Sequence, residues 1–195
     1  MNSTEFKQAM AALPQPPNSE AAPHWSFWRH DLWTRAQSEP VDNFMSWPCI
    51  YHTMLVSHFP MDEQLALLET DWKRWQAVVQ APNVGKPMDT FRGVSRNMVN
   101  QAYHLKRWED ATGKRVEDLN SIVEFGGGYG ALALAVKRLG FHGDYAVYDL
   151  PEFALLQRWF LAQHGLSVRH IAEPTAYADL FIALYSISEV PFVLR

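Results

Sequence analysis

The spacing of hydrophobic residues divides the chain into two regions near residue 113. Before this point apolar residues recur every three or four positions, which predicts helices through much of residues 25–80 and again over 97–111. After it, short apolar runs alternate with amphipathic stretches. The elements predicted there, in the order strand, helix, strand, helix, strand and strand, are 121–125, 129–139, 144–149, 151–164, 167–171 and 178–184. This alternation predicts an α/β domain with a parallel sheet and crossover helices.

The chain is accordingly predicted to have three parts. Residues 1–24 open with a short helix at 4–12 and continue into the proline-rich stretch 13–18, which predicts a mobile N-terminal segment. Residues 25–112 are predicted to form a helical region that packs on the sheet domain as a lid. Residues 113–195 form the predicted sheet domain, with four strands.

The helical region holds most of the 8 tryptophans of the chain. One helix is predicted from Asp62 onward, with its apolar face formed by Leu65, Leu68, Trp72, Trp75 and Val79. Exposed aromatic rings can stack on sugars, whereas tryptophan at helical spacing is more often part of a core or an interface. The second interpretation is favoured, and it predicts that these helices could also form a homodimer contact.

The most informative segment is residues 121–130, where an apolar run leads directly into glycines and then into a helix. Glycine permits a tight turn and the close approach of a ligand, and the following helix offers free N–H groups. The predicted glycine turn comprises Gly126, Gly127, Gly128, Tyr129 and Gly130. This arrangement predicts a nucleotide-binding corner, with Tyr129 packing over the bound cofactor.

Two cofactor classes fit the glycines. One spacing matches dinucleotide binding, and the other, Gly126, Gly128 and Gly130, matches S-adenosylmethionine binding. Glu124, two residues before the first glycine, favours the second class. A carboxylate there would repel a pyrophosphate but suits the ammonium and sulfonium of S-adenosylmethionine. The alternative is that Glu124 is a strand-end acid facing solvent or a helix cap.

A second acid ends the next predicted strand. Asp149 is placed to accept the ribose hydroxyls in either cofactor class, and Leu150 is placed to pack against the adenine. The alternative role of Asp149 is to cap the helix that begins at Pro151. Asp149 therefore indicates nucleoside binding without separating the two cofactor classes.

Residues 97–189 resemble class I S-adenosylmethionine-dependent methyltransferases and, more narrowly, the sugar O-methyltransferase family. The matching segments are 102–105 (AYHL), 122–130 (IVEFGGGYG), 148–152 (YDLPE) and 185–189 (YSISE). The resemblance implies a Rossmann-like class I methyltransferase sheet, S-adenosylmethionine as cofactor and a carbohydrate or other small-molecule hydroxyl as acceptor. A full sheet of this kind has seven strands, so the chain is expected to be a fragment or a truncated form. The fourth strand would then have an apolar edge.

Two side chains are candidates for the base that deprotonates the acceptor hydroxyl. Glu189 follows the fourth strand together with Ser186 and Ser188, where this superfamily often places residues on the acceptor side. The same three residues could instead form a helix N-cap. His104 lies in the helix that precedes the sheet, and its alternative is a structural histidine. Residues of the expected missing half could also supply the base.

Composition and charge argue against several classes of function. The net charge is −4 and no run of Lys or Arg exceeds two, which argues against a nucleic-acid partner. The single Cys49 excludes an internal disulfide and a cysteine-built zinc site, and it agrees with a cytoplasmic protein. No His, Asp or Glu spacing indicates a metal, no apolar stretch could span a membrane, and no secretory signal is recognised.

Three hypotheses of function therefore stand. The first is an S-adenosylmethionine-dependent O-methyltransferase that acts on a sugar or polyol. The second is an NAD-dependent oxidoreductase, which uses the same glycines and Asp149 but leaves Glu124 unexplained. The third is a non-catalytic methyltransferase-fold subunit that acts with a partner.

Overall fold

A computed structural model describes residues 1–17, 24–55, 60–88, 90–173 and 177–186, and the fold is given for these residues. Their helices are α1 Ser3–Ala11, α2 His24–Ser38, α3 Pro48–Met54, α4 Met61–Glu69, α5 Trp72–Val79, α6 Arg96–Thr112, α7 Ala131–Arg138 and α8 Pro151–Gln163. Their strands are β1 Thr90–Phe91, β2 Val94–Ser95, β3 Ser121–Phe125, β4 Asp144–Tyr148, β5 Arg169–Ile171 and β6 Leu180–Ile182. Short 3-10 helices cover Val41–Ser46 and Val116–Asp118.

The main sheet has four parallel strands in the order β5-β4-β3-β6. This confirms the predicted α/β class with a parallel sheet, and the order is consistent with a Rossmann-like fold. The chain moves from β3 to β4 to β5 in one direction through α7 and α8. Since such crossovers are right-handed, both helices pack on the same face of the sheet.

One hydrophobic core joins the sheet to the helical region. Ile122, Tyr145 and Val147 on one face of the sheet belong to the same buried cluster as α7, α8 and the N-terminal helices. Trp47, Trp75 and Trp159 are almost completely buried in this cluster. These three tryptophans are therefore core residues, as the favoured interpretation of the tryptophan pattern expected.

The prediction of a mobile segment over residues 1–24 needs a correction for its first half. Helix α1 is closed at its start by a capping box between Asn2 and Glu5. Its apolar residues Phe6 and Met10 are fully buried, and Phe6 contacts Trp159 of α8 with ring centroids 6.3 Å apart. Burial of these two side chains holds α1 on the domain.

Two local features were missed in the sequence. The helix predicted to run from Asp62 to Val79 is interrupted at Thr70–Asp71, so α4 and α5 are separate helices. Residues 90–95 form a small hairpin whose turn residues, Arg92 and Gly93, both have positive φ.

Among the described residues β6 pairs with β3 alone, so it forms an edge of the sheet, with Phe181 48% exposed.

A partly buried ion pair joins α2 to α8. The guanidinium of Arg29 donates two hydrogen bonds of 2.9 Å to the carboxylate of Glu152, which is 1% exposed. Nearby, the rings of Trp25 and Phe153 pack edge to face, with their centroids 5.5 Å apart. Glu152 thus holds the N-terminal helices over the start of α8.

None of the described helices is both long and apolar enough to cross a membrane.

We predict that Arg29→Met lowers the free energy of unfolding by about 3 kcal/mol, because the Glu152 carboxylate stays buried without its partner. The double variant Arg29→Met, Glu152→Leu should recover most of this loss, since no charge is then buried. Urea unfolding monitored by circular dichroism measures both values. The surface pair of Arg92 and Asp62 is the control, and Arg92→Met should change stability little. An equal loss in the single and double variants would contradict the ion-pair explanation.

Candidate functional site

The sheet topology places the candidate site at the carboxyl end of β3. Strand β4 lies on one side of β3 and β6 on the other, so the chain order reverses at this strand. In open parallel sheets ligands bind in the crevice at such a point. A cavity of about 780 Å³ opens there, a volume typical of small-molecule sites.

The glycine turn lines this cavity and leads into α7. The sequence predicted this turn between a strand and a helix. Gly126 has φ 73°, and a Cβ there would collide with Ser186, which follows β6. A Cβ on Gly127 would lie 2.8 Å from Val147 and 3.3 Å from Oε2 of Glu124. Glycine is therefore required at both positions, and the turn packs directly on the Glu124 carboxylate.

Glu124 is buried at the end of β3 and borders the cavity. Its Oε2 accepts a 2.8 Å hydrogen bond from the hydroxyl of Tyr145 on β4. Burial raises the pKa of Glu124 to about 7, the Tyr145 bond opposes this, and the nearby Asp149 adds to it. Neither alternative from the sequence applies, since the side chain does not face solvent and does not cap a helix.

Asp149 follows β4 and borders the same cavity. Its Oδ1 accepts from the backbone N–H of Leu150 at 2.7 Å, and its Oδ2 accepts from Nε2 of Gln157 at 2.6 Å. Burial raises the pKa of Asp149 to about 7, and these hydrogen bonds limit the rise. The N-cap of α8 is Leu150, whose side chain makes no capping bond, so Asp149 does not cap the helix.

Gln157 does not line the cavity but bonds to Asp149, a contact that the sequence did not indicate. Its amide nitrogen also donates to the carbonyl of Gly128 at 2.9 Å, and its oxygen lies 2.9 Å from Nε2 of His170 on β5. Nδ1 of His170 accepts from Arg158, so Nε2 carries the hydrogen that Gln157 accepts. Burial and Arg158 lower the pKa of His170 to about 4, which keeps this ring neutral. The chain of bonds thus fixes the orientation of Gln157 and, through it, of Asp149.

The rest of the cavity wall comes from the helical region and from the end of β6. Trp25, Met54 and Leu55 border it from α2 and the end of α3, and Leu150 borders it beside Asp149. Within the described residues, no Lys or Arg lines this cavity, whereas two carboxylates do. Also within those residues, no cluster of His, Cys, Asp or Glu could hold a metal ion.

Tyr129 does not lie over the cavity as predicted. It touches the cavity wall, but it is 2% exposed and its ring packs against Phe44 and Phe160, at 5.4 and 5.0 Å between centroids. Its hydroxyl accepts a 2.7 Å hydrogen bond from Nδ2 of Asn97 on α6. The contacts with Phe44 and Phe160 and the bond from Asn97 hold the ring in the core.

Of the two candidate bases, His104 lies among the described residues and Glu189 does not. His104 does not line the cavity, but its Nε2 lies 3.3 Å from the hydroxyl of Tyr185, which does. Burial and Arg107 lower the pKa of His104, so this ring is neutral at neutral pH. Ser186 donates to the carbonyl of Phe125 and borders the cavity. Glu189 lies outside the described residues, as does Ser188.

We predict that Glu124→Gln gains stability relative to the wild type as the pH rises from about 4.5 to about 7.5. A carboxyl group whose pKa is raised by folding stabilises the protein at low pH and loses that contribution as pH passes through the raised value. The amide keeps an acceptor for Tyr145 but never ionises. Thermal unfolding of both proteins without ligand, across this pH range, measures the difference.

Asp144→Asn is the matched control for this pH series. The hydrogen bond from Arg169 lowers the pKa of Asp144, so its contribution is constant over the same range and is lost only in more acidic solution. A stability difference between Glu124→Gln and the wild type that does not change with pH would show that the Glu124 pKa is not raised.

The chain was compared with models of known protein families and with curated proteins. No family model matches it, and no curated protein gives a significant match.

Proposed function

We propose that the protein is an S-adenosylmethionine-dependent O-methyltransferase with a Rossmann-like class I fold. The observation that supports this most is the charge of the cavity. Two carboxylates border it, burial raises both their pKa values to about 7, and no Lys or Arg of the described residues faces them. A cationic ligand without phosphate would relieve this charge, whereas a pyrophosphate would add two further negative charges at short range.

Each end of the cofactor has chain residues that suit it. Asp149, held by Gln157, can accept the ribose hydroxyls, and Leu150 offers an apolar contact for the adenine. Glu124 stabilises positive charge near the glycine turn. When bound, S-adenosylmethionine supplies a methyl group activated by its sulfonium. Alignment of the acceptor oxygen with that methyl is the main contribution expected from the enzyme.

The acceptor hydroxyl must lose its proton during transfer, and Tyr185 with His104 can receive it. Tyr185 borders the cavity, and the neutral His104, whose Nε2 lies 3.3 Å from the Tyr185 hydroxyl, can take up a proton. Tyr185 has a φ of 67°, a strained backbone conformation for a non-glycine residue that is common at functional sites. The resemblance to the sugar O-methyltransferase family supports a sugar or polyol hydroxyl as the acceptor.

Isothermal titration calorimetry tests the cofactor class directly. We predict saturable binding of S-adenosylhomocysteine and no binding of NAD, or binding at least about tenfold weaker. Glu124→Gln should weaken the binding of S-adenosylhomocysteine about tenfold, because it removes the charge that faces the ammonium. Tighter binding of NAD than of S-adenosylhomocysteine by folded protein would refute the proposal and support the oxidoreductase.

We also predict that Gln157→Leu weakens binding of S-adenosylhomocysteine about fivefold to tenfold, because Asp149 loses the donor that orients it. Adenosine should lose affinity by the same factor, since both ligands share the ribose. Gln163→Leu is the matched control, because Gln163 lies on the same helix and bonds only to backbone carbonyls away from the cavity. Equal binding by Gln157→Leu and the wild type would remove Gln157 from the site.

A further inference from the structure

An aromatic strip leads away from the cavity over the surface of α2 and α3. It consists, in spatial order, of Phe27, Trp28, His52 and Tyr51, and the centroids of successive rings are 4.9, 6.1 and 5.2 Å apart. Phe27 is 50% exposed and Tyr51 is 36% exposed. His52 is also exposed, and Trp28 is partly buried. The strip is therefore open to a ligand.

The strip joins the cavity at the end of α3. His52 borders the cavity and is itself exposed, so it lies at the cavity mouth. Two residues further on, Met54 borders the cavity beside the glycine turn, since a Cβ on Gly128 would lie 3.4 Å from the Met54 sulfur. A ligand that enters at this mouth and is longer than the cavity can therefore continue along the strip.

Hydrogen bonds hold the two helices of the strip together. Oδ2 of Asp31 on α2 accepts a 3.1 Å hydrogen bond from the backbone N–H of Cys49 in the first turn of α3. Oδ1 of the same carboxylate accepts from Nε of Arg35 at 2.8 Å. The rings of the strip are thus positioned before a ligand binds, which lowers the entropy cost of binding.

Charge and size restrict what the strip can bind. The charged residues of α2 are paired within the chain, Arg29 with Glu152 and Asp31 with Arg35, and α3 contains no Asp, Glu, Lys or Arg. The strip therefore suits a neutral ligand. Four partly exposed aromatic side chains offer roughly 300 Å² of surface. A stable protein interface buries about 800 Å² on each partner, so the strip alone is too small to bind a second copy of the chain.

A saccharide meets both conditions. One face of a sugar ring carries C–H groups that pack on an aromatic ring, and the sugar hydroxyls form hydrogen bonds at the edge of the contact. The Tyr51 hydroxyl and the ring nitrogens of His52 suit such bonds, beside the apolar surface of Phe27.

We propose that the aromatic strip binds sugar units of the acceptor that lie outside the cavity, so that the acceptor is a neutral oligosaccharide rather than a free monosaccharide. The inference rests on the proposed function. The sugar unit that is methylated enters the cavity beside His52. The units next to it stack on Trp28, Phe27 and Tyr51.

A glycan array followed by calorimetry tests the strip. Wild-type protein is applied to an array of neutral glycans of increasing length, and the glycan that binds most tightly is then titrated beside its own monosaccharide. We predict that this glycan is an oligosaccharide and binds at least about tenfold more tightly than the monosaccharide. Phe27→Ala and Tyr51→Ala should each weaken glycan binding about fivefold. Both variants should bind S-adenosylhomocysteine like the wild type, because neither residue borders the cavity. Phe181→Ala is the matched control, since Phe181 is similarly exposed but lies on β6.

Each outcome supports or overturns the inference. Oligosaccharide binding that is weakened in both strip variants and kept in Phe181→Ala supports it. Absence of glycan binding, equal affinity for the monosaccharide, or unchanged binding by the strip variants overturns it. A dimer in light scattering that Phe27→Ala and Tyr51→Ala dissociate also overturns it, because the strip would then bind a second copy.

The same titrations separate the inference from the proposed function. If wild-type protein binds a glycan but no S-adenosylhomocysteine, the proposed function fails and the glycan is not a methyl acceptor. Binding of S-adenosylhomocysteine without glycan binding refutes the inference alone.

Discussion

The site depends on two carboxylates that the parallel pairing of β3 and β4 brings to one edge of the sheet. The register sets Glu124 beside Val147 and Phe125 beside Tyr148, so Glu124 and Asp149 end neighbouring strands. Burial makes ionisation of both groups unfavourable, and the nearby Asp149 raises this cost further for Glu124. Such a pair stabilises a fold poorly, and groups with strongly shifted pKa values are concentrated at functional sites.

The surrounding packing keeps this unfavourable arrangement in place. Tyr145 donates to Glu124, and Gln157 donates to Asp149 and to the glycine turn at once. Gln157 is itself oriented by His170 from the next strand. These bonds connect the strands, the glycine turn and α8. The ion pair of Arg29 with Glu152 joins the helical region to α8.

The parts of the fold that the sequence predicted are those determined by neighbouring residues. The strand, glycine turn and helix at 121–138 follow from local spacing, and so do the acids that end β3 and β4. Gln157 was missed because its partners, Asp149 and His170, are brought to it by strand pairing, which no local pattern reveals. Tyr129 was misplaced for a related reason. The glycines beside it allow several directions for its ring, and the core under α6 selects one.

Helix α6 carries three polar side chains that lie at or near the cavity. Asn97, Gln101 and His104 are spaced by four and three residues, so they share one face of the helix. Two of them border the cavity, and the third reaches it through Tyr185. A shift of α6 would therefore move Asn97, Gln101 and His104 together. Since Asn97 is bonded to Tyr129 within the glycine turn, the position of α6 is coupled to that turn. In the proposed methyltransferase, the shape of the cavity and proton transfer through His104 would then depend on the same helix position.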